Sequence, residues 1–123
     1  MVTVPWTQAM NIALNYWQLD HVTLIMFSDP DCEVCSEFIP TLEQLENEDY
    51  KVVVVENGRY MPFPLTFYPM GYVYIPNCPT QMPMQRQGNA PIELMKEDAA
   101  LQIRAMKECR DYLELRDEVK NGS

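Results

Sequence analysis

The sequence predicts an α/β fold in which helices flank a central mixed sheet. Two short runs, VTLIMF at 22–27 and KVVVVE at 51–56, consist largely of β-branched and apolar residues, a composition typical of strands covered on both faces. A segment with helical periodicity separates them, so the crossover is long enough for the two strands to pair in parallel. A hairpin and an amphipathic helix are predicted after this βαβ unit.

A chain of 123 residues, 47% apolar and 22% charged, is long enough to bury one hydrophobic core and too short for two. We therefore expect a single domain over residues 1–123, with its core at about 5–119. No apolar run approaches the roughly 20 residues needed to cross a bilayer. The N-terminus also lacks the basic and apolar segments of a secretory signal. These features predict a cytoplasmic protein with no membrane partner.

The first half of the chain contains the signals for two helices. Apolar residues recur at spacings of three and four over 4–19, which predicts a first helix. A second helix is expected after the strand at 22–27, and Pro40 inside it predicts a kink because proline lacks the N–H that a helix needs. The stretch 60–76 holds four prolines and six aromatic residues, so we expect an irregular connection there.

The last third of the chain predicts a hairpin followed by a helix. Strands over 80–87 and 92–95 would be joined by a turn at 88–89, where Gly and Asn tolerate the turn conformation. Apolar residues at helical spacing over 98–119 predict the closing helix. Cys109 lies in this apolar stripe and is expected to be a buried free thiol, because free cysteine is among the most buried residue types.

The chain is acidic, with a formal net charge of −9. Such a charge repels a phosphate backbone, so no nucleic-acid partner is predicted. No Lys or Arg lies between Ser28 and Tyr50, whereas eight carboxylates do: Asp29, Asp31, Glu33, Glu37, Glu43, Glu46, Glu48 and Asp49. A solvated helix face explains most charge runs of this kind. The alternative is electrostatic attraction of a basic protein partner.

Cys32 and Cys35 form a C-x-x-C pair where the predicted strand meets the predicted helix. Unpaired N–H groups at a helix start favour a thiolate and would lower the pKa of the first thiol from about 8.5. The second thiol, one turn further on, is close enough to attack a mixed disulfide formed by the first. In a βαβ context this spacing predicts a redox pair; a chance spacing among four cysteines is the alternative.

Three features make the chain resemble the thioredoxin family over about residues 5–119: a buried strand leading into CEVC, Pro40 five residues after the second cysteine, and the segment CPT at 78–80. The resemblance implies a thioredoxin-like fold and a thiol–disulfide oxidoreductase. Its redox-active Cys32–Cys35 disulfide would need no further cofactor. Cys32 would attack the substrate disulfide, and Cys35 would resolve the mixed disulfide.

The resemblance also implies a substrate groove. In thioredoxins a cis-proline faces the redox pair across a shallow groove, and Pro79 is the candidate for that proline here, with Cys78 and Thr80 beside it as substrate-binding residues. A protein disulfide is the implied substrate. An external reductant, such as a thioredoxin-type reductase or glutathione, would return the pair to the dithiol.

The surroundings of the pair depart from the thioredoxin pattern. Thioredoxins have Trp before the first cysteine and Gly-Pro between the two, whereas this chain has Asp31 before it and Glu33 and Val34 between them. The two carboxylates oppose a thiolate at Cys32 while the helix dipole favours it, each by roughly 0.5–1 kcal/mol. Met26 occupies the strand position where thioredoxins bury an acidic residue behind the pair.

Two other functions stay open. The aromatic stretch 60–76, together with the acidic helix, could make the chain a non-catalytic protein-binding module on the same scaffold. Alternatively, Cys78 could join Cys32 and Cys35 as a third thiolate for zinc or an iron–sulfur cluster, although such sites usually take four ligands. From sequence, Cys78 is therefore a packing or groove-lining residue, a third redox thiol or a metal ligand.

Overall fold

A computed structural model describes residues 1–5, 21–56, 69–78, 84–87 and 91–122 of the chain. Within these residues a five-stranded mixed sheet has the strand order β1-β3-β2-β4-β5. The strands are β1 (Val2–Pro5), β2 (Val22–Ser28), β3 (Tyr50–Glu56), β4 (Met70–Tyr74) and β5 (Met84–Gln87). The helical elements are α1 (Glu33–Phe38), a 3₁₀ helix (Ile39–Leu45) and α2 (Ile92–Asn121). The predicted α/β class with a mixed sheet and flanking helices is confirmed.

The two central strands match the prediction closely. β2 and β3 pair in parallel from Val22 opposite Tyr50 to Ser28 opposite Glu56. Every residue of β2 before Ser28 is buried, as expected for a strand with protein on both faces. The crossover through α1 and the 3₁₀ helix is therefore the predicted βαβ connection, and it brings the C-terminal ends of both strands to one edge of the sheet.

The predicted start of the first helix was wrong. Residues assigned to the beginning of a helix form β1, which pairs in parallel with β3 from Val2 opposite Val53. Only Val4 of this strand is buried, so its sequence carries little of the alternation that marks a half-buried strand. Pro5 is tolerated because it ends an edge strand. The rest of the predicted first helix, residues 6–19, lies outside the described residues.

Pro40 breaks the helix that follows the cysteines, as predicted. The N–H of Ile39 still bonds to the carbonyl of Cys35 at the end of α1, but Pro40 has no N–H to continue the pattern. The chain continues as the tighter 3₁₀ helix, in which the Thr41 hydroxyl donates to the carbonyl of Phe38 at 2.6 Å. Buried apolar side chains then hold both segments against the sheet: Phe38, Leu42 and Leu45.

The hairpin exists, but its strands differ from those predicted. β4 lies inside the stretch expected to be irregular and pairs antiparallel with both β2 and β5. Prolines flank this strand without interrupting it, so the count of prolines in 60–76 was misleading. Residues 92–95, predicted as the second strand, form the first turn of α2, where Pro91 suits a helix start. The predicted turn at 88–89 lies outside the described residues.

Gly71 allows β2 and β4 to approach with a large side chain between them. It pairs with Met26 across the two strands. A Cβ at this position would lie 3.0 Å from Cε of Met26 and 3.1 Å from the carbonyl oxygen of Ile25. Because the carbonyl belongs to the paired backbone and cannot move away freely, a side chain here would separate the strands.

Apolar clusters cover both faces of the sheet. One packs α2 and the 3₁₀ helix against alternate residues of β2 and β3, with Leu24, Leu42 and Met106 all fully buried. The other lies on the opposite face and includes Phe27, Met70 and Cys35. Among the helices of the described residues, none combines the length and the apolar character that a membrane span requires.

Candidate redox site

The C-x-x-C pair lies where β2 ends and α1 begins. β2 ends at Ser28 and α1 begins at Glu33, so a four-residue loop presents Cys32 at the edge of the sheet. Cys32 is the residue that caps α1, with an extended backbone at φ −91° and ψ 107°. It forms a disulfide with Cys35, and the Cα atoms of the two are 5.2 Å apart.

The two sulfurs have different environments. Sγ of Cys32 accepts a hydrogen bond from the backbone N–H of Cys35 at 3.1 Å, one of the N–H groups that the start of a helix leaves without a backbone partner. Cys32 is partly exposed, whereas Cys35 is 1% exposed. An incoming group can therefore reach Cys32, and only a group already bound to Cys32 lies close to Cys35.

Apolar side chains pack against the redox pair on the side of the sheet. Cys32 and Cys35 belong to the cluster that contains Phe27 at the end of β2 and Met70 at the start of β4. The ring of Phe27 meets that of Tyr72 edge to face, with centroids 5.8 Å apart and planes at 90°. Cys35 is 1% exposed within this cluster, and close packing of this kind restricts the movement of its side chain.

Asp29, which the sequence analysis did not single out, shapes the loop that carries Cys32. Its side chain is 7% exposed, and its Oδ1 accepts the N–H of Asp31 at 2.9 Å. Its carbonyl oxygen accepts the N–H of Cys32 at 3.0 Å. The signal was present in the sequence, since Asp followed by Pro is typical of a turn in which the carboxylate bonds to the backbone two residues on.

The remaining residues predicted around the pair are divided between surface and core. Asp31 and Glu33 are exposed, and Val34 is 44% exposed, so an apolar side chain and two carboxylates form the outer rim. Met26 is 1% exposed and packs on the face of the sheet covered by α2. The strand position at which thioredoxins bury an acidic residue therefore holds a thioether, which cannot take up or release a proton.

The expectation that Cys78 lies beside the redox pair was wrong. β4 starts next to the pair, with Met70 opposite Phe27, and runs to Tyr74 opposite Thr23 at the other end of β2. Four residues of strand span about 14 Å, and Cys78 lies beyond them. It forms a disulfide with Cys109, with Cα atoms 5.3 Å apart.

Two further expectations change with this pairing. Cys109 is not a free thiol, and Pro79 is bonded to a residue at the far end of β4 instead of at the redox edge. Pro79 and Thr80 themselves lie outside the described residues. The proline that the topology brings to the redox edge is Pro69, which is fully buried and directly precedes Met70. The topology therefore favours Pro69 over Pro79 as the groove proline, an alternative that was missed because the start of β4 was not recognised from sequence.

The three cysteines proposed as a metal site do not come together, since each is bonded in one of two separate disulfides. In the described part of the chain, no group of three or more His, Cys, Asp or Glu side chains is arranged to hold a metal ion. Of the aromatic stretch proposed as a docking surface, residues 60–68 lie outside the described residues. Residues 69–76 form β4 and its flanks, with Met70, Val73 and Ile75 buried in the core.

Comparison with solved structures identifies the class of fold. The crystal structure of chloroplastic thioredoxin z superposes with a TM-score of 0.67 at 19% identity, covering 85% of this chain and 95% of that one. The J-Trx1 fragment of ERdj5 gives a TM-score of 0.62 at 17% identity, covering 85% of this chain and 50% of the fragment. Neither a family model nor a curated protein sequence matches the chain. The chain therefore has a thioredoxin-like fold, as its resemblance to thioredoxins predicted.

Proposed function

We propose that this protein is a thiol–disulfide oxidoreductase that uses the Cys32–Cys35 pair. The observation that supports the proposal best is the difference between the two sulfurs: Cys32 is partly exposed and hydrogen-bonded to the N–H of Cys35, while Cys35 is 1% exposed. This is the arrangement that exchange requires, because the attacking sulfur must be reached by a substrate and the resolving sulfur must not.

Reduction of a substrate takes two exchange steps. The Cys32 thiolate attacks one sulfur of a substrate disulfide; a Cys32–substrate bond forms, the substrate bond breaks, and the other substrate sulfur leaves as a thiolate. Cys35, once deprotonated, attacks Cys32 and releases the second substrate thiolate. The substrate gains two electrons and the pair is oxidised to the disulfide. The N–H of Cys35 stabilises negative charge on Cys32, because a charged sulfur accepts a stronger hydrogen bond than a neutral one.

The surroundings suggest the type of substrate. Pro69, which directly precedes β4, takes the groove role that the resemblance assigned to Pro79, and the exposed Val34 offers an apolar contact next to the redox pair. Asp31 and Glu33 add negative charge next to Cys32, which favours a protein disulfide flanked by basic residues. The proposed reductant of the pair is external, such as a thioredoxin-type reductase or glutathione, and the cytoplasm is the proposed location.

The test is a redox titration and an exchange assay on the same preparation. We expect a reversible two-electron transition at Cys32–Cys35, which alkylation and peptide mass mapping would detect. We also expect the protein to accelerate the reduction of a protein disulfide by dithiothreitol. Cys32→Ser should reduce that acceleration to the rate without protein. Cys35→Ser should instead accumulate a mixed disulfide through Cys32.

The matched control is Ser36→Ala, which changes an exposed hydroxyl on the next residue of α1 and should leave the rate within about twofold of wild type. If Cys32→Ser retains the wild-type rate, or if the pair never leaves one redox state, the proposal is wrong. In that case a binding role on this scaffold becomes the better hypothesis.

A further inference from the structure

The second disulfide joins two distant parts of the fold. Cys78 follows β4 after a turn in which Asn77 has a positive φ of 68°, and Cys109 lies on α2, 31 residues later. Cys78 is 9% exposed and belongs to the cluster under α2. Cys109 packs against the same cluster from its edge. The bond therefore links the end of the antiparallel part of the sheet to the helix that covers it.

This pair cannot exchange directly with Cys32–Cys35. The redox pair packs with residues at one end of β2 and β4, whereas Cys78 follows the opposite end of β4, about 14 Å along the strand, and belongs to the cluster on the other face of the sheet. Exchange needs sulfur atoms in bonding contact. The two disulfides therefore react separately in the folded protein.

The environment of Cys78 accommodates both oxidation states. Its Sγ lies 3.7 Å from the carbonyl oxygen of Ala105, one turn before Cys109 on α2. After reduction, the thiol of Cys78 could donate to that oxygen, so no buried polar group would lose a partner. Cys109 is the more exposed residue of the two, so an external thiol would approach the disulfide from its side.

Within the described residues, the disulfide is also the last point at which α2 joins the buried core. Met95, Ala99, Gln102 and Met106 are the buried residues of this helix. From Arg110 to Gly122 every residue is partly or fully exposed. An anchor at Cys109 therefore stabilises the last three turns, because a helical end of this length is marginal in water by itself.

We propose that Cys78–Cys109 is a second thiol–disulfide site, which exchanges with external dithiols through Cys109 and controls how firmly the C-terminal part of α2 is held. A dithiol reductant attacks the sulfur of Cys109, the Cys78–Cys109 bond breaks, and Cys78 leaves as a thiolate that takes up a proton. The second thiol of the reductant then attacks its own sulfur in the mixed disulfide and releases Cys109. The reductant forms its internal disulfide, and the pair gains two electrons.

The test uses the variant Cys32→Ser/Cys35→Ser, which keeps only the second pair, and buffered mixtures of reduced and oxidised dithiothreitol without denaturant. Alkylation and mass mapping give the oxidation state of the pair, and hydrogen exchange is measured in the fully oxidised and fully reduced forms. The same measurements on wild type, where mapping separates the two disulfides, keep the test independent of how well the variant folds.

We expect a reversible two-electron transition while the amides of β2 and β3 stay protected. Amides of residues 107–117 should exchange at least about tenfold faster in the reduced form. Reduction only when the whole protein unfolds would overturn the proposal in favour of a permanent cross-link. If the amides of residues 107–117 exchange at the same rate in the oxidised and reduced forms, the disulfide does not control how firmly α2 is held. Neither result depends on activity at Cys32–Cys35, so this proposal and the proposed oxidoreductase function fail separately.

Discussion

The two disulfides of this chain differ in location, span and exposure. Cys32–Cys35 spans three residues at the edge of the sheet and has one partly exposed sulfur capping a helix. Cys78–Cys109 spans 31 residues and lies between the sheet and the helix that covers it. A short local bond constrains little of the unfolded chain, whereas a long-range bond constrains much of it. The first pair is therefore suited to frequent exchange, and the second contributes to the stability of the fold.

The largest expected difference between the pairs is in the free energy of unfolding. The chain-entropy model gives about 3.7 kcal/mol for a bond across 31 residues and about 1.6 kcal/mol for one across 3 residues. Under oxidising conditions, Cys78→Ala/Cys109→Ala should therefore lower the urea midpoint more than Cys32→Ala/Cys35→Ala does. Equal losses in the two double variants would contradict the contrast between a local and a long-range cross-link.

The assignment of the groove to the redox end of β4 can be tested with two prolines. Pro69→Ala should lower kcat/KM for a protein disulfide by about tenfold, because a small shift of the residue beside the pair misaligns the substrate. Pro79→Ala, which changes the residue after Cys78, is the matched variant and should leave kcat/KM unchanged within about twofold. The opposite ranking would return the groove role to Pro79.

The loop that presents Cys32 depends on Asp29. Asp29→Ala removes the acceptor for the N–H of Asp31 and should destabilise the fold by about 1 kcal/mol, with a loss of exchange rate at Cys32. Asp29→Asn keeps an oxygen in the same place and should retain most of both. Thermal unfolding and the exchange assay report the two effects. If Ala and Asn behave alike, the hydrogen bond to the loop is not what Asp29 contributes.

The smallest expected effect comes from the charges next to the redox pair. Asp31→Asn and Glu33→Gln each remove an exposed negative charge near Cys32 and should raise its thiolate fraction, and so the exchange rate near neutral pH, by up to about fivefold. The gain should shrink in 1 M salt, where screening acts over about 3 Å. Glu48→Gln, remote in sequence from the pair, is the control. A gain that persists in high salt would rule out a Coulombic cause.

Local signals accounted for the centre of the fold and the position of the C-x-x-C pair. The runs at β2 and β3 are buried and apolar whichever helix covers them, so composition was enough to place both strands. The C-x-x-C spacing and the proline break at Pro40 also depend on residues close in sequence. The signals failed for β1 and β4, where a short edge strand and a strand bounded by prolines carry weak patterns.

The sequence by itself determined the two buried central strands, the helix start at Cys32 and the acidic rim, because each depends on neighbours within a few residues. Only the tertiary structure decided that Cys78 pairs with Cys109, that Pro69 lies at the redox edge and that Asp29 is buried. Those outcomes depend on which end of β4 meets which end of β2 and on where α2 crosses the sheet. Strand direction and helix placement are properties of the packed core, and residue spacing along the chain does not encode them.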